Sequence, residues 1–207
     1  MSTSLQLEFQ HIVSQYSTDQ NLIQSYWLEI KKQYETVERY YHNLTHLKNI
    51  LEELNEIRTE INDWEAILFS VFYHDIIYDA RAQDNEEQSA QLAKERLTIL
   101  QLPKSKTDLI VNQIIATKQH QKSTNSDTNY FLDADLSILG KDWEQYKSYY
   151  QNIRQEYAIY PDDVYNHGRK KALTHFLTFE TIFNTPYFKS KYENQARLNI
   201  AREINLL

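Results

Sequence analysis

The chain has 207 residues, enough for one sizeable core, with 41% hydrophobic residues to fill it and 25% charged residues to cover it. Only 2 glycines and 3 prolines occur, too few for the turns of a typical sheet protein, and the lack of cysteine excludes disulfides, iron-sulfur clusters and thiolate metal sites. A formal net charge of -7 disfavours tight, charge-driven binding of nucleic acid or anionic membrane, while leaving room for a local basic pocket around one phosphate.

The first ten residues lack a cationic start followed by an apolar run, and nowhere do about 18 apolar residues follow one another. The expectation is a cytoplasmic protein without a membrane span. Apolar periodicity predicts a helix within 5–16 and a second over 21–38, entered through Thr18 and Asp19 as capping residues. A third, over 43–57, carries Leu44, Leu47, Ile50, Leu51 and Leu54 on one stripe. The fourth, over 62–77, is apolar nearly all round from Trp64 to Tyr73, the pattern of a helix surrounded by others, and it runs into His74 and Asp75. After a polar stretch at 79–84 come helices over 85–100 and 102–117, then a loop at 118–129. Further helices are predicted over 130–139, 142–159, 162–183 and 189–205, with Gly140, Pro161 and Pro186 as punctuation. The 16 tyrosines read as packing mass on helices. The fold expected is all-α, a single-domain bundle of about nine or ten helices.

A carboxylate at the end of a buried helix is costly to desolvate without a cation or hydrogen bonds, so Asp75 needs a partner. A divalent metal is one such partner, with the His74 imidazole as a second ligand. The alternative is that His74 caps the helix end and Asp75 pairs with an arginine. His42 and His46 lie one helical turn apart and can face the same way. Asp133 and Asp135 stand in the otherwise apolar segment Phe131-Leu-Asp-Ala-Asp-Leu-Ser-Ile-Leu-Gly140, where a carboxylate again requires a buried partner.

The order His46, then His74-Asp75, then Asp135 resembles the HD-domain metal-dependent phosphohydrolase superfamily. In that family a helical bundle gathers these ligands from separate helices. Closer still is the likeness to a bacterial branch of predicted HD phosphohydrolases. It is carried by Arg39-x-Tyr-His-Asn-x-x-His46, His74-Asp-x-x-Tyr-Asp79, Asp84-Asn-Glu-Glu-x-Ser-Ala90, Thr117-x-x-His120, Phe131-Leu-Asp-Ala-Asp-Leu136, Arg154-x-Glu-Tyr157 and Glu193-x-x-Ala-Arg-x-Asn199. The pieces are short singly and specific jointly, and they cover most of the chain.

The resemblance implies one HD-type domain over 1–207, with its core at about 39–140 and the C-terminal helices of 141–207 packed on it. It also implies one divalent ion held by His46, His74, Asp75 and Asp135. Nitrogen and oxygen ligands suit manganese, iron, nickel, cobalt or zinc, and magnesium is also admissible. Such an ion lowers the pKa of a water and acts as a Lewis acid on a phosphoryl oxygen. Two-metal phosphodiesterases of that family are similar to one another in carrying several further histidines between the His-Asp pair and the last Asp; here His120 is the only histidine between Asp75 and Asp135, so the resemblance favours one metal over two.

Asp79 is the expected general base, and Arg39, Asn85, Glu86, Lys118 and His120 are the residues expected to bind substrate. Tyr78 stands where alarmone hydrolases resembling this segment have an acid, which counts against that assignment. The expected activity is hydrolysis of a phosphate ester or phosphoanhydride in a small phosphorylated metabolite, a nucleotide first among them. The alternatives are a phosphodiesterase or alarmone hydrolase, and a metal-bound nucleotide sensor or helical interaction module without turnover. Arg154, Glu156, Arg169, His167 and His175 either line a second wall of the cleft or form internal ion pairs.

Overall fold

The computed structural model describes residues 2–207, with side chains from Ser4 onward. Ten α-helices and two short 3-10 turns make up its regular structure, and no strand occurs among the described residues. None of these helices is long and apolar enough to cross a membrane. The chain divides into two compact units, the first reaching Leu132 and the second running from Asp133 to Leu207. The division falls inside a helix, and the 3-10 turn Leu136–Gly140 packs on the helices that follow it.

The first unit contains α1 (Ser2–Ser14), α2 (Gln20–Tyr34), α3 (Leu44–Glu56), α4 (Trp64–Tyr73), α5 (Asn85–Ile99), α6 (Lys104–Ala116) and most of α7 (Ser126–Asp135). Every residue from Ala66 to Tyr73 is buried, and α4 touches α1, α3, α5 and α6, as its apolar circumference predicts. Each fully buried aliphatic or aromatic side chain contributes about 1.5–3 kcal/mol before the cost of ordering it, so α4 anchors this unit. Phe9, Trp27, Phe72 and Tyr73 form its aromatic centre, with Phe9 meeting Phe72 edge-on at 5.0 Å.

Several helix ends differ from the sequence expectation for identifiable reasons. Asp63 caps α4 by accepting from the Ala66 N–H at 3.0 Å, while the Asp127 carboxylate accepts from the N–H groups of Asn62 and Asp63. Asn62 therefore lies outside the helix. In the polar stretch 118–129, Asn125 Oδ1 accepts from the Thr128 N–H at 2.8 Å, which lets α7 start at Ser126 and shortens the expected loop. Asp19 caps α2 as expected, accepting from the N–H groups of Asn21 and Leu22.

The second unit holds the last residues of α7, the turn Leu136–Gly140, α8 (Trp143–Glu156), α9 (Asp162–Thr178) and α10 (Pro186–Ile204). Proline at the first position of α10 is preorganised for a helix start and places that start ahead of residue 189. Here Arg169 donates to both oxygens of the buried Glu203 carboxylate, at 2.7 and 3.1 Å, and Tyr146 donates to the same group at 2.5 Å. Arg154 donates to the carbonyls of Tyr157 and Tyr160 and pairs with Asp162, tying off α8. Both arginines thus form internal pairs.

Gly140 marks the closest approach in this unit: a Cβ there would lie 2.3 Å from Tyr192 Cβ and 2.8 Å from the Tyr192 carbonyl oxygen. Backbone cannot yield cheaply at that distance. Gly140→Ala is expected to destabilise the protein by about 2–3 kcal/mol through overpacking. Chemical denaturation reads this directly, and an unchanged midpoint would show that α10 can move aside.

Candidate metal centre

The first unit brings together three of the four metal ligands expected from the sequence. His46 lies in the first turn of α3, started by Asn43, whose side chain accepts from the Thr45 N–H. His74 is the C-cap of α4 and Asp75 follows it. His46 Nε2 and His74 Nε2 are 3.3 Å apart, and Asp75 Oδ2 is 3.1 Å from His74 Nε2 and 3.8 Å from His46 Nε2. Both imidazoles are buried and the carboxylate is largely so.

The tautomer of His74 follows from its other nitrogen. Nδ1 lies 2.9 Å from the Val71 carbonyl oxygen, which can only accept, so Nδ1 carries a proton and, in the neutral ring, Nε2 presents a lone pair. That lone pair and the Asp75 carboxylate are then two acceptors facing each other at 3.1 Å. A shared proton or a cation resolves this contact. A divalent ion fits the donor set, since imidazole fixed by a backbone carbonyl and a carboxylate oxygen is a common ligand arrangement.

Asp135 ends α7 in the second unit and is half-buried. His42, whose role the sequence left open, has its Nε2 4.0 Å from Asp75 Oδ2 and its ring 4.3 Å from that of Tyr78. Asp133, two residues before Asp135, has a different task within the second unit. Its carboxylate accepts from the Asn184 N–H, the Thr185 N–H and the Thr185 hydroxyl, at 2.7, 2.7 and 2.6 Å, ahead of α10. Burial raises its pKa to about 6 against the pull of those hydrogen bonds.

The residues expected to act on substrate have partners of their own. Asp79 receives the side chain and backbone N–H of Arg81, at 2.9–3.0 Å, and these hydrogen bonds hold its carboxyl below the usual range. That arrangement lowers its strength as a base. Asn85 bonds both the N–H and the carbonyl of Asp79, fixing the loop between α4 and α5. Lys118 pairs with Glu87 and donates to the Gln83 carbonyl. Glu86 lies in the first turn of α5, half-buried. His120 follows α6 with φ of 51°, a left-handed conformation that histidine tolerates better than most residues, and its N–H donates to the Ala116 carbonyl at 3.0 Å.

Arg39 is buried and donates to three backbone carbonyls: those of His42 at 3.2 Å, Asp75 at 2.6 Å and Ile76 at 2.9 Å. Its position explains why α2 stops at Tyr34 instead of continuing to residue 38. The chain turns so that Arg39 can reach inward. Tyr34, which carries no motif in the sequence, accepts from the Asp75 N–H through its hydroxyl at 3.2 Å. Nothing in the local sequence marks a tyrosine whose partner is a backbone amide 41 residues on.

Comparison with protein-family models, with curated proteins and with solved structures gave no match to this chain. The chemistry of the site therefore rests on its own residues.

The pairing of Asp79 with Arg81 yields a direct expectation. Asp79→Asn removes the charge and keeps the shape, so metal content should stay at the parental level. Any phosphate-releasing activity should fall less than about tenfold, against the hundredfold or more typical for loss of a general base. A hundredfold fall at parental metal content would restore Asp79 as the base.

Proposed function

We propose that the protein is a metal-dependent phosphohydrolase of the HD type, acting on a phosphate ester or phosphoanhydride of a small metabolite such as a nucleotide. The observation that carries this reading is the convergence of His46 Nε2, His74 Nε2 and Asp75 Oδ2, all within 4.8 Å of one another. These three side chains would hold the ion. When bound, the ion supplies Lewis-acid polarisation of a phosphoryl oxygen and acidifies a water. His74 is kept in the ligating tautomer by Val71, and the adjacent Asp75 carboxylate offsets the cation's charge. Lys118 and His120, at and beyond the end of α6, are the cationic and hydrogen-bonding groups assigned to phosphate; Lys118 is on the surface and can exchange Glu87 for a ligand.

A second reading, a metal-bound sensor without turnover, draws on one observation: Arg81 occupies the carboxylate expected to be the general base. A panel of nucleoside mono- and triphosphates, cyclic nucleotides and guanosine tetraphosphate, assayed with manganese for released phosphate or pyrophosphate, separates the readings. Hydrolysis of at least one member by the parent, lost in Asp75→Asn, supports the enzyme. Binding of a panel member without hydrolysis by the metal-loaded protein transfers the proposal to the sensor.

A further inference from the structure

Arg39 stands where two metal-ligand segments that are far apart in sequence must be held together. Its guanidinium lies over two aromatic rings, 4.8 Å from the ring centre of Tyr34 and 5.6 Å from that of Tyr78. From there one nitrogen, Nη1, donates both to the His42 carbonyl, in the segment leading into His46, and to the Asp75 carbonyl. The other, Nη2, donates to the Ile76 carbonyl. The Tyr34 hydroxyl takes the Asp75 N–H, so both backbone groups of Asp75 are fixed by side chains from the end of α2 and the turn after it.

This arrangement is costly unless fully satisfied, because a buried guanidinium without acceptors loses several kcal/mol of hydration. Three carbonyls and two aromatic faces meet that requirement. A lysine could retain the charge, but its single ammonium cannot reproduce a planar fork aimed at carbonyls on two segments.

We propose that Arg39 and Tyr34 are positioning residues that clamp the His42–His46 segment to the His74–Asp75 segment and so set the geometry of the metal ligands. The proposal rests on the metal-site reading above. It assigns to Arg39 a task different from the substrate contact expected from sequence. The clamp acts through backbone carbonyls and one amide.

The test uses the full-length protein with cobalt(II) as probe, measuring affinity by competition with a chromophoric chelator and ligand geometry by visible absorption. Arg39→Lys is expected to weaken cobalt binding tenfold to a hundredfold, the range for residues that orient metal ligands, and to alter the visible spectrum. Tyr34→Phe deletes one oxygen and keeps the packed ring, and is expected to weaken binding by about threefold to tenfold. It also keeps the test decisive if Arg39→Lys fails to fold. Arg197→Lys is the control, since Arg197 also donates to two carbonyls, those of Phe179 and Glu180, within the second unit. It should leave affinity and spectrum unchanged. Parental cobalt affinity and spectrum in Tyr34→Phe and in folded Arg39→Lys would overturn the clamp while leaving the metal site standing. Weaker substrate binding in Arg39→Lys at parental cobalt affinity would also overturn it, in favour of substrate contact. A parent that takes up no cobalt would overturn both the clamp and the metal site beneath it.

Discussion

Asp75→Asn is expected to weaken divalent-metal binding by more than a hundredfold while leaving the fold of the metal-free protein intact. Asparagine matches aspartate in size, so packing around the buried His46 and His74 is kept. What is lost is the negative charge 3.1 Å from His74 Nε2, the one anionic ligand among the three that converge. In the parent, metal at a hundredfold excess over its dissociation constant should raise stability by about 2.7 kcal/mol. In Asp75→Asn at the same concentration that increment should nearly vanish. His46→Ala and His74→Ala should also lose metal, with an added loss of stability from the cavity each leaves. Thermal denaturation with and without manganese checks all three. Equal metal-induced shifts in parent and Asp75→Asn would remove Asp75 from the site.

The second large effect is expected at Asp133, where no metal is involved. Asp133→Ala strands the N–H groups of Asn184 and Thr185 and the Thr185 hydroxyl, and should cost about 3 kcal/mol or more. Asp133→Asn keeps one acceptor oxygen and no ionisable group, so its comparison with the parent depends on pH. The folded pKa of Asp133, at about 6, is above the ordinary value of 3.8, so between these limits the native parent holds a proton that the unfolded chain has released. The parent is therefore at its best relative to Asp133→Asn below about pH 4. It loses up to about 3 kcal/mol of that advantage as pH rises through 6, because each tenfold difference in proton affinity between the folded and unfolded chain is worth about 1.36 kcal/mol. Urea denaturation at pH 4.5 and pH 7 measures the difference. A pH-independent difference would mean that the three hydrogen bonds offset burial completely.

The contrast between Asp133 and Asp75 shows what the sequence carries and what it does not. The central helix was legible because Trp64 to Tyr73 is apolar on every side, and the all-α class because glycine and proline are scarce. The cost of a carboxylate at the end of such a helix pointed to a partner for Asp75, while only the resemblance in ligand order picked out His46 to stand beside His74. Asp133 was visible as a buried acid needing a partner, but its partners are backbone amides 51 and 52 residues away, and an amide has no sequence signature. The carbonyls that engage Arg39 were hidden for the same reason. By contrast, Arg81 lies two residues from Asp79, and a local pair of that kind could have been suspected from sequence. The start of α7 was missed because Ser123 to Asn129 is polar throughout, and only the fold shows Asn125 acting as a cap.

The central claim is that His46, His74 and Asp75 form a metal site, and the metal content of the purified parent tests it most directly. After purification without chelators and exchange into metal-free buffer, mass spectrometry should find close to one manganese, iron, nickel, cobalt or zinc ion per chain. Brief loading with manganese or cobalt should bring it to that stoichiometry if isolation has stripped it. A parent that holds no divalent ion before or after loading would contradict the account.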